Sequence, residues 1–67
     1  MARNTTYELI LIDVTTGWHK QSYPLNAKTD EGARREAKKI IKMRQFKTSE
    51  TELWFNNGDG SKGVLDL

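Results

Sequence analysis

The residues of this 67-residue chain best suited to chemistry are the basic side chains of residues 34–47. This segment holds seven of the eleven lysines and arginines but one acid, Glu36, so its charge is unbalanced. Concentrated positive charge suits electrostatic binding to phosphates or to an acidic protein surface. At about 100° per residue, five of these cations fall on one arc of a predicted helix. This arc, the basic helix face, consists of Arg34, Arg35, Lys38, Lys39 and Lys42.

The basic helix face has two interpretations. Cations in the second half of a helix complement its dipole, as Asp30 and Glu31 complement the start, and long cationic side chains suit a solvated helix. Alternatively, the arc binds a polyanion, because its lack of acids leaves few i,i+4 pairs to neutralise it. Contacts to nucleic acid would then be made to the backbone, with Lys20 or Lys28 as outlying contacts. The sequence leaves both interpretations open.

Other polar residues give no pattern typical of a reaction centre. His19 is the single histidine, and its neighbours offer no catalytic or metal-binding partner. Residues 56–60 superficially resemble a calcium loop, but the twelfth position from Asn56 holds Leu67 instead of glutamate. The glycines are not followed by a helix, as a phosphate loop requires. We therefore expect a non-enzymatic protein without catalytic residues, bound metal or cofactor.

Two tryptophans form a second group of candidate binding residues. Trp18 and Trp54 could stack on exposed bases or anchor a protein interface. Packing in the core is the alternative for each of them in so small a domain. Trp18 follows a predicted hairpin turn, so we expect it to be the more exposed of the two.

Composition limits the class of protein. The net charge is +2, which argues only mildly for a nucleic-acid partner, and there is no cysteine to form a disulfide or a thiolate metal site. No apolar run is long enough for a signal peptide or a membrane span. We expect one domain, residues 1–67, without a membrane partner and located in the cytoplasm.

Hydrophobic periodicity predicts four strands and one helix. Residues 7–14 are apolar on both faces, as in a central strand, and Gly17 suits the hairpin turn that follows. Pro24 lacks a backbone donor, which favours an edge position for the second strand. A strong turn signal occupies residues 57–60. The predicted strands span residues 7–14, 18–25, 51–56 and 62–67.

The predicted helix begins at Thr29 or Asp30 and ends near residues 43–45. Its buried stripe consists of Ala33, Ala37, Ile40 and Ile41, with Met43 at the margin. Arg44 would fall on that stripe if the helix continued, so we expect the helix to end near it. Phe46 is expected to fold back onto the core.

The order of elements predicts an α+β domain of ββαββ layout. A right-handed crossover through the helix makes strands two and three parallel in direction, so that strand three can pair with strand one. The result is a four-stranded antiparallel sheet in the order 2-1-3-4, with the helix on one face. The opposite face would expose apolar residues of strand one together with Trp18 or Trp54, which is typical of an interaction site.

The layout resembles that of small phage and mobile-element proteins, as in some anti-CRISPR inhibitors. The similar segments are YELILID at 7–13, PLNAKTDEGA at 24–33, REAKKI at 35–40 and the hairpin NGDG at 57–60. The resemblance lies in element order and core spacing, and such inhibitors act through different surfaces, so it carries over no binding residue. The first hairpin and helix also resemble integrase arm domains, from which the chain departs in its third strand and in Glu8 and Asp13.

The hypothesis with the most support is a small binding protein that engages a nucleic acid or nucleoprotein complex through the basic helix face. The resemblance implies one such activity, inhibition of a host defence complex. The alternative is a protein-interaction or homodimerisation module that uses the open sheet face. An accessory subunit of an enzyme is a third class that the sequence leaves open.

Overall fold

The structure, a computed structural model, describes residues 5–67, so the first four residues of the predicted domain lie outside the described part. Its strands form a four-stranded antiparallel sheet in the order β2-β1-β3-β4. One helix, α1, packs on one face of this sheet, which confirms the predicted α+β fold. In chain order the elements are β1 (Thr6–Ile12), β2 (His19–Pro24), α1 (Asp30–Arg44), a 3₁₀ turn (Thr48–Glu50), β3 (Thr51–Asn56) and β4 (Lys62–Leu65).

The core lies between the helix and the two central strands. Leu9 and Leu53 are opposite each other on β1 and β3, and both are fully buried. Ala33 and Ala37 face them from α1, also with no exposed surface. Alanine has no side chain beyond Cβ, so the helix backbone approaches the sheet closely at these two positions. Tyr7, Leu25 and Ile41 complete the buried cluster, with partly buried Ile40, Phe46, Phe55 and Leu65 packed against it.

The first hairpin is longer than predicted. β1 ends at Ile12 instead of residue 14, because a β-bulge after Leu11 and a six-residue connection replace the expected tight turn. The Asp13 N–H donates to the Trp18 carbonyl at 2.9 Å, and the Gly17 N–H donates to the Asp13 carbonyl at 2.7 Å. Gly17 has a φ of 77°, the positive value expected of it. Trp18 therefore lies in the loop instead of β2.

The helix begins and ends as its sequence predicts. The Thr29 hydroxyl accepts a hydrogen bond from the Gly32 N–H at 3.1 Å, which makes Thr29 the N-cap. Gln45 takes a left-handed conformation and ends the helix after Arg44. Arg44 is thereby exposed, with its guanidinium 5.4 Å from the centre of the Tyr23 ring. Met43 is 74% exposed, so its expected position at the margin of the buried stripe was wrong.

Two polar contacts fix the helix to the rest of the domain. The Glu36 carboxylate accepts hydrogen bonds from the backbone N–H groups of Asn26 and Ala27 at 3.0–3.1 Å, which fastens the segment after β2 to the side of α1. The Tyr7 hydroxyl donates to Asp30 Oδ1 at 2.6 Å, which joins β1 to the first residue of the helix. The hydrogen bond to Asp30, followed by burial, raises the pKa of Tyr7 to about 12.

Glu36→Ala should lower the free energy of unfolding by about 1–3 kcal/mol, because two backbone N–H groups lose their charged acceptor. Urea unfolding followed by circular dichroism measures this change. Met43→Ala on the same helix is the control, with an expected change of at most about 0.5 kcal/mol because that side chain is exposed. Equal losses for the two variants would contradict a role for the Glu36 carboxylate.

Tyr7→Phe should remove part of the pH dependence of stability in alkali. In the folded state the pKa of Tyr7 is raised to about 12, whereas the ordinary pKa of a tyrosine side chain, which applies to the unfolded state, is 10.0. This contribution to stability is therefore complete below pH 10 and is lost as the pH rises from 10 through 12. Between these pH values, the wild type should lose more stability than Tyr7→Phe does.

Absorbance titration of tyrosinate, together with unfolding at each pH, measures the effect of the Tyr7 hydroxyl. Tyr23→Phe is the matched control and should keep the titration step near pH 12 that belongs to Tyr7. If Tyr7→Phe still titrated near pH 12, the raised pKa would not belong to Tyr7.

Candidate functional site

The basic helix face lies on the side of α1 that points away from the sheet. Arg35, Lys38, Lys39 and Lys42 are all exposed there. Arg35 Nη2 lies 3.6 Å from Glu31 Oε1, one turn earlier, and both side chains are about four-fifths exposed or more (79% and 85%). The three lysines have no ion-pair partner among residues 5–67. Their charges are therefore available to a ligand that approaches the helix from solvent.

Arg34 differs from the other four cations. It is half-buried, and its Nε donates a hydrogen bond to the Asp66 carbonyl oxygen at 2.8 Å. At about 100° per residue, Arg34 lies close to Ile41 around the helix, beside the buried stripe instead of opposite it. Its predicted position on the solvent arc was therefore wrong. The side chain fastens the segment after β4 to α1.

The other face of the sheet, here called the open face, is not covered by a helix of residues 5–67. Strand alternation puts Glu8, Ile10 and Ile12 of β1 on this face, together with Glu52 and Trp54 of β3. Ile10 is nevertheless only 4% exposed, although it lies outside the cluster under the helix. The expectation that apolar residues of strand one would be exposed is therefore wrong for Ile10.

A polar and aromatic cluster covers the middle of the open face. Trp54 Nε1 donates a hydrogen bond to Glu52 Oε1 at 3.0 Å, and His19 Nε2 lies 3.7 Å from the same oxygen. The His19 and Trp54 rings meet edge to face, with centroids 5.9 Å apart. Glu52 is opposite Ile10 and His19 is opposite Ile12, so the three side chains shield the apolar centre of this face.

Sequence reasoning missed this cluster because it found no partner for His19. Both partners, Glu52 and Trp54, come from β3, and the β-bulge in the first hairpin sets the position of His19 beside them. The period-two pattern of residues 51–56 does put Glu52 and Trp54 on one face, which is the one signal the sequence offered. His19 joins them only through the register between β1 and β2.

The two candidate tryptophans do not form one surface. Trp18 is 74% exposed in the hairpin loop, as expected for the more exposed of the pair. Trp54 is half-buried in the middle of the sheet. Val64, opposite Trp54 on β4, is 51% exposed on the open face.

The loop from Asn57 to Gly60 is a turn whose polar groups bond within the domain. The Ser61 N–H donates to Asp59 Oδ1 at 3.0 Å, and the hydrogen bonds from Ser61 hold the pKa of the Asp59 carboxyl below its usual value. The Thr5 hydroxyl donates to Asn57 Oδ1 at 2.9 Å. Within residues 5–67, no three acidic or histidine side chains come together as metal ligands.

Comparisons of the chain with protein-family models, with curated proteins and with solved structures give no match. Within the described residues, α1 is too short and too polar to cross a bilayer. The functional assignment consequently depends on the geometry of the two surfaces.

Trp18→Phe should remove most of the tryptophan emission that iodide quenches, because the Trp18 indole is exposed whereas Trp54 is shielded by Glu52 and His19. Iodide titration of the wild type, Trp18→Phe and Trp54→Phe measures the accessibility of each indole. Stronger quenching of Trp54 than of Trp18 would contradict the arrangement of the open face.

Proposed function

We propose that this chain is a small non-enzymatic binding protein that engages a nucleic acid or nucleoprotein complex through its basic helix face. The observation that carries this proposal is the group of three exposed lysines, Lys38, Lys39 and Lys42, without ion-pair partners among residues 5–67. Arg35 extends the group along the same face.

The position of these lysines along the helix favours a ligand over helix stabilisation alone. The helix dipole acts on charges within the first and last turns. Lys42 and Arg44 lie in the last turn and complement it. Lys38 and Lys39 lie in the middle of α1, where the dipole offers little compensation for adjacent positive charges. Phosphate groups would supply that compensation.

The helix also gives the lysines a fixed geometry. Side chains three and four positions apart on a helix are neighbours, with Cβ atoms about 5–6 Å apart. Lys42 is such a neighbour of both Lys38 and Lys39, so the three ammonium groups can reach one stretch of sugar–phosphate backbone. Contacts of this kind are largely independent of base sequence, and non-specific affinities are on the order of 10⁻⁴–10⁻⁶ M.

Inhibition of a host defence nucleoprotein is a narrower form of this proposal. Its support is the resemblance in element order to small phage proteins, together with a cationic face that a nucleoprotein would attract. Action on such a complex would take place in the cytoplasm.

The test compares two triple variants of equal net charge in titrations with duplex DNA, single-stranded DNA and RNA. Changing Lys38, Lys39 and Lys42 to glutamine should weaken binding strongly and lower the salt slope for duplex DNA by about 2–3, since each phosphate contact contributes about 0.9. The control changes Lys20, Lys28 and Lys47 to glutamine; these lysines are exposed elsewhere on the domain, and because Lys20 and Lys28 are the outlying candidates, a smaller loss than in the helix variant is expected. Fluorescence anisotropy at several salt concentrations measures both.

Either of two results would overturn the nucleic-acid proposal. One is no binding to any of the three nucleic acids at low salt. The other is an equal loss of affinity in both triple variants, which would assign the binding to net charge instead of the basic helix face. Loss in the control alone would move the contacts to Lys20, Lys28 or Lys47.

A protein-interaction module that uses the open face is the second candidate. The observation that favours it is Val64, which is 51% exposed beside Trp54 on that face. Ile10, opposite Glu52, is only 4% exposed, which limits the apolar area that such a module could offer. Apolar association through this face should respond little to salt, which separates it from phosphate binding in the same experiments.

A further inference from the structure

The outer edge of β4 carries backbone groups that point away from the sheet. The Asn57 N–H donates to the Ser61 carbonyl at 2.7 Å, one step beyond the pair Asn56–Lys62 in the register of β3 and β4. Hydrogen-bonded and non-bonded pairs alternate along an antiparallel ladder, so Lys62 and Val64 occupy non-bonded positions. Their N–H and C=O groups therefore face outward, at the edge that no strand of residues 5–67 covers.

The opposite edge of the sheet is blocked, which leaves β4 as the edge suited to pairing. The Leu25 N–H donates to the Tyr7 carbonyl at 2.9 Å, and the same alternation puts the backbone of Ser22 and Pro24 outward on β2. Pro24 has no N–H, and proline is a common means of preventing edge-to-edge pairing. β4 contains no proline, and its outward residues retain both donor and acceptor.

β4 together with Asp66, the residue that follows its last residue Leu65, complements itself in one antiparallel register. If two copies pair about Val64, Val64 lies opposite Val64, and Lys62 lies opposite Asp66 of the second copy at both ends. A shift of the register by two residues in either direction would put Lys62 or Asp66 opposite Val64, and both charge pairs would be lost. Opposite charges across a strand pair stabilise it, whereas like charges destabilise it. We propose that β4 pairs in this register with β4 of a second copy of this chain, which joins the two four-stranded sheets into one.

The surroundings of β4 are consistent with this pairing. Val64 is 51% exposed next to Trp54, so the paired valines would extend an apolar strip across the joined open faces. Arg34 donates to the Asp66 carbonyl and does not use the Asp66 carboxylate, so the pairing of Lys62 with Asp66 would be made by the charged side chains, with backbone pairing centred on Val64. A four-residue strand buries little area, so the dimer is of the weak, transient class.

The dimer would change how the basic helix face is presented, although its formation does not require that face. The two-fold axis that relates an antiparallel pair of edge strands is perpendicular to the sheet. It keeps each face on its own side, so both helices lie on the same side of the joined sheet. Two basic helix faces would then point in one direction and give bivalent contact with an extended polyanion. The association itself requires no nucleic acid.

Sedimentation equilibrium without nucleic acid, from about 10 μM to about 1 mM protein, tests the pairing. The wild type should show a concentration-dependent dimer. Lys62→Glu sets a carboxylate opposite Asp66, and Asp66→Lys sets a cation opposite Lys62, each of them twice per dimer. Each single variant should raise the dissociation constant about tenfold or more, and the double variant should restore it, because the charge pairs reappear with exchanged signs.

Lys20→Glu on the blocked β2 edge is the matched control and should leave the dissociation constant unchanged. Circular dichroism confirms that each variant is folded, as expected at exposed positions. A wild type that stays monomeric to about 1 mM would overturn the proposal, as would single variants that dimerise normally or a double variant without rescue. The triple glutamine variant of Lys38, Lys39 and Lys42 should still dimerise, so failure of this proposal and failure of nucleic-acid binding are distinguishable.

Discussion

The close contact of α1 with the two central strands governs how the other parts of this domain are arranged. Ala33 and Ala37 lie over Leu9 and Leu53, and none of the four has exposed surface. Larger side chains at the two alanines would lift the helix from the sheet and open the small core. This contact fixes the rotation of the helix, and the rotation determines which cations face solvent and which, like Arg34, are held against the domain.

A sheet with a helix on one side must protect its other face with its own side chains. In this domain Glu52 accepts a hydrogen bond from the indole N–H of Trp54 and lies close to His19. Ile10, which is opposite Glu52 on the same face, is only 4% exposed. A strand that is apolar on both faces thus lies in the centre of the sheet although the described part of the chain has a single α-helix. The edges are protected unequally, since Pro24 blocks β2 whereas β4 keeps outward donors and acceptors.

The acids near the helix explain why its solvent face is so strongly positive. Asp30 accepts from Tyr7, and Glu36 accepts from the backbone before the helix, so both carboxylates are directed toward the domain. Among the acids of residues 5–67, Glu31 is the one that forms an ion pair with a cation of the basic helix face, at 3.6 Å from Arg35. Structural use of these acids leaves the lysines in the middle of the helix without an ion-pair partner among residues 5–67, and the proposed binding of a polyanion rests on these charges.

The element order, the antiparallel sheet and the ends of the helix could be predicted from the sequence, because periodicity, the Thr29 cap and the turn glycines act over a few residues. The sequence also identified Lys38, Lys39 and Lys42 as solvent-facing, since helix phase follows from Ala33, Ala37 and Ile41. Tertiary structure alone decided that Arg34 bonds to Asp66, that Glu36 anchors the preceding loop and that His19 meets Trp54. Those contacts join residues distant in the chain, and their alignment depends on strand register and a β-bulge that no local pattern encodes.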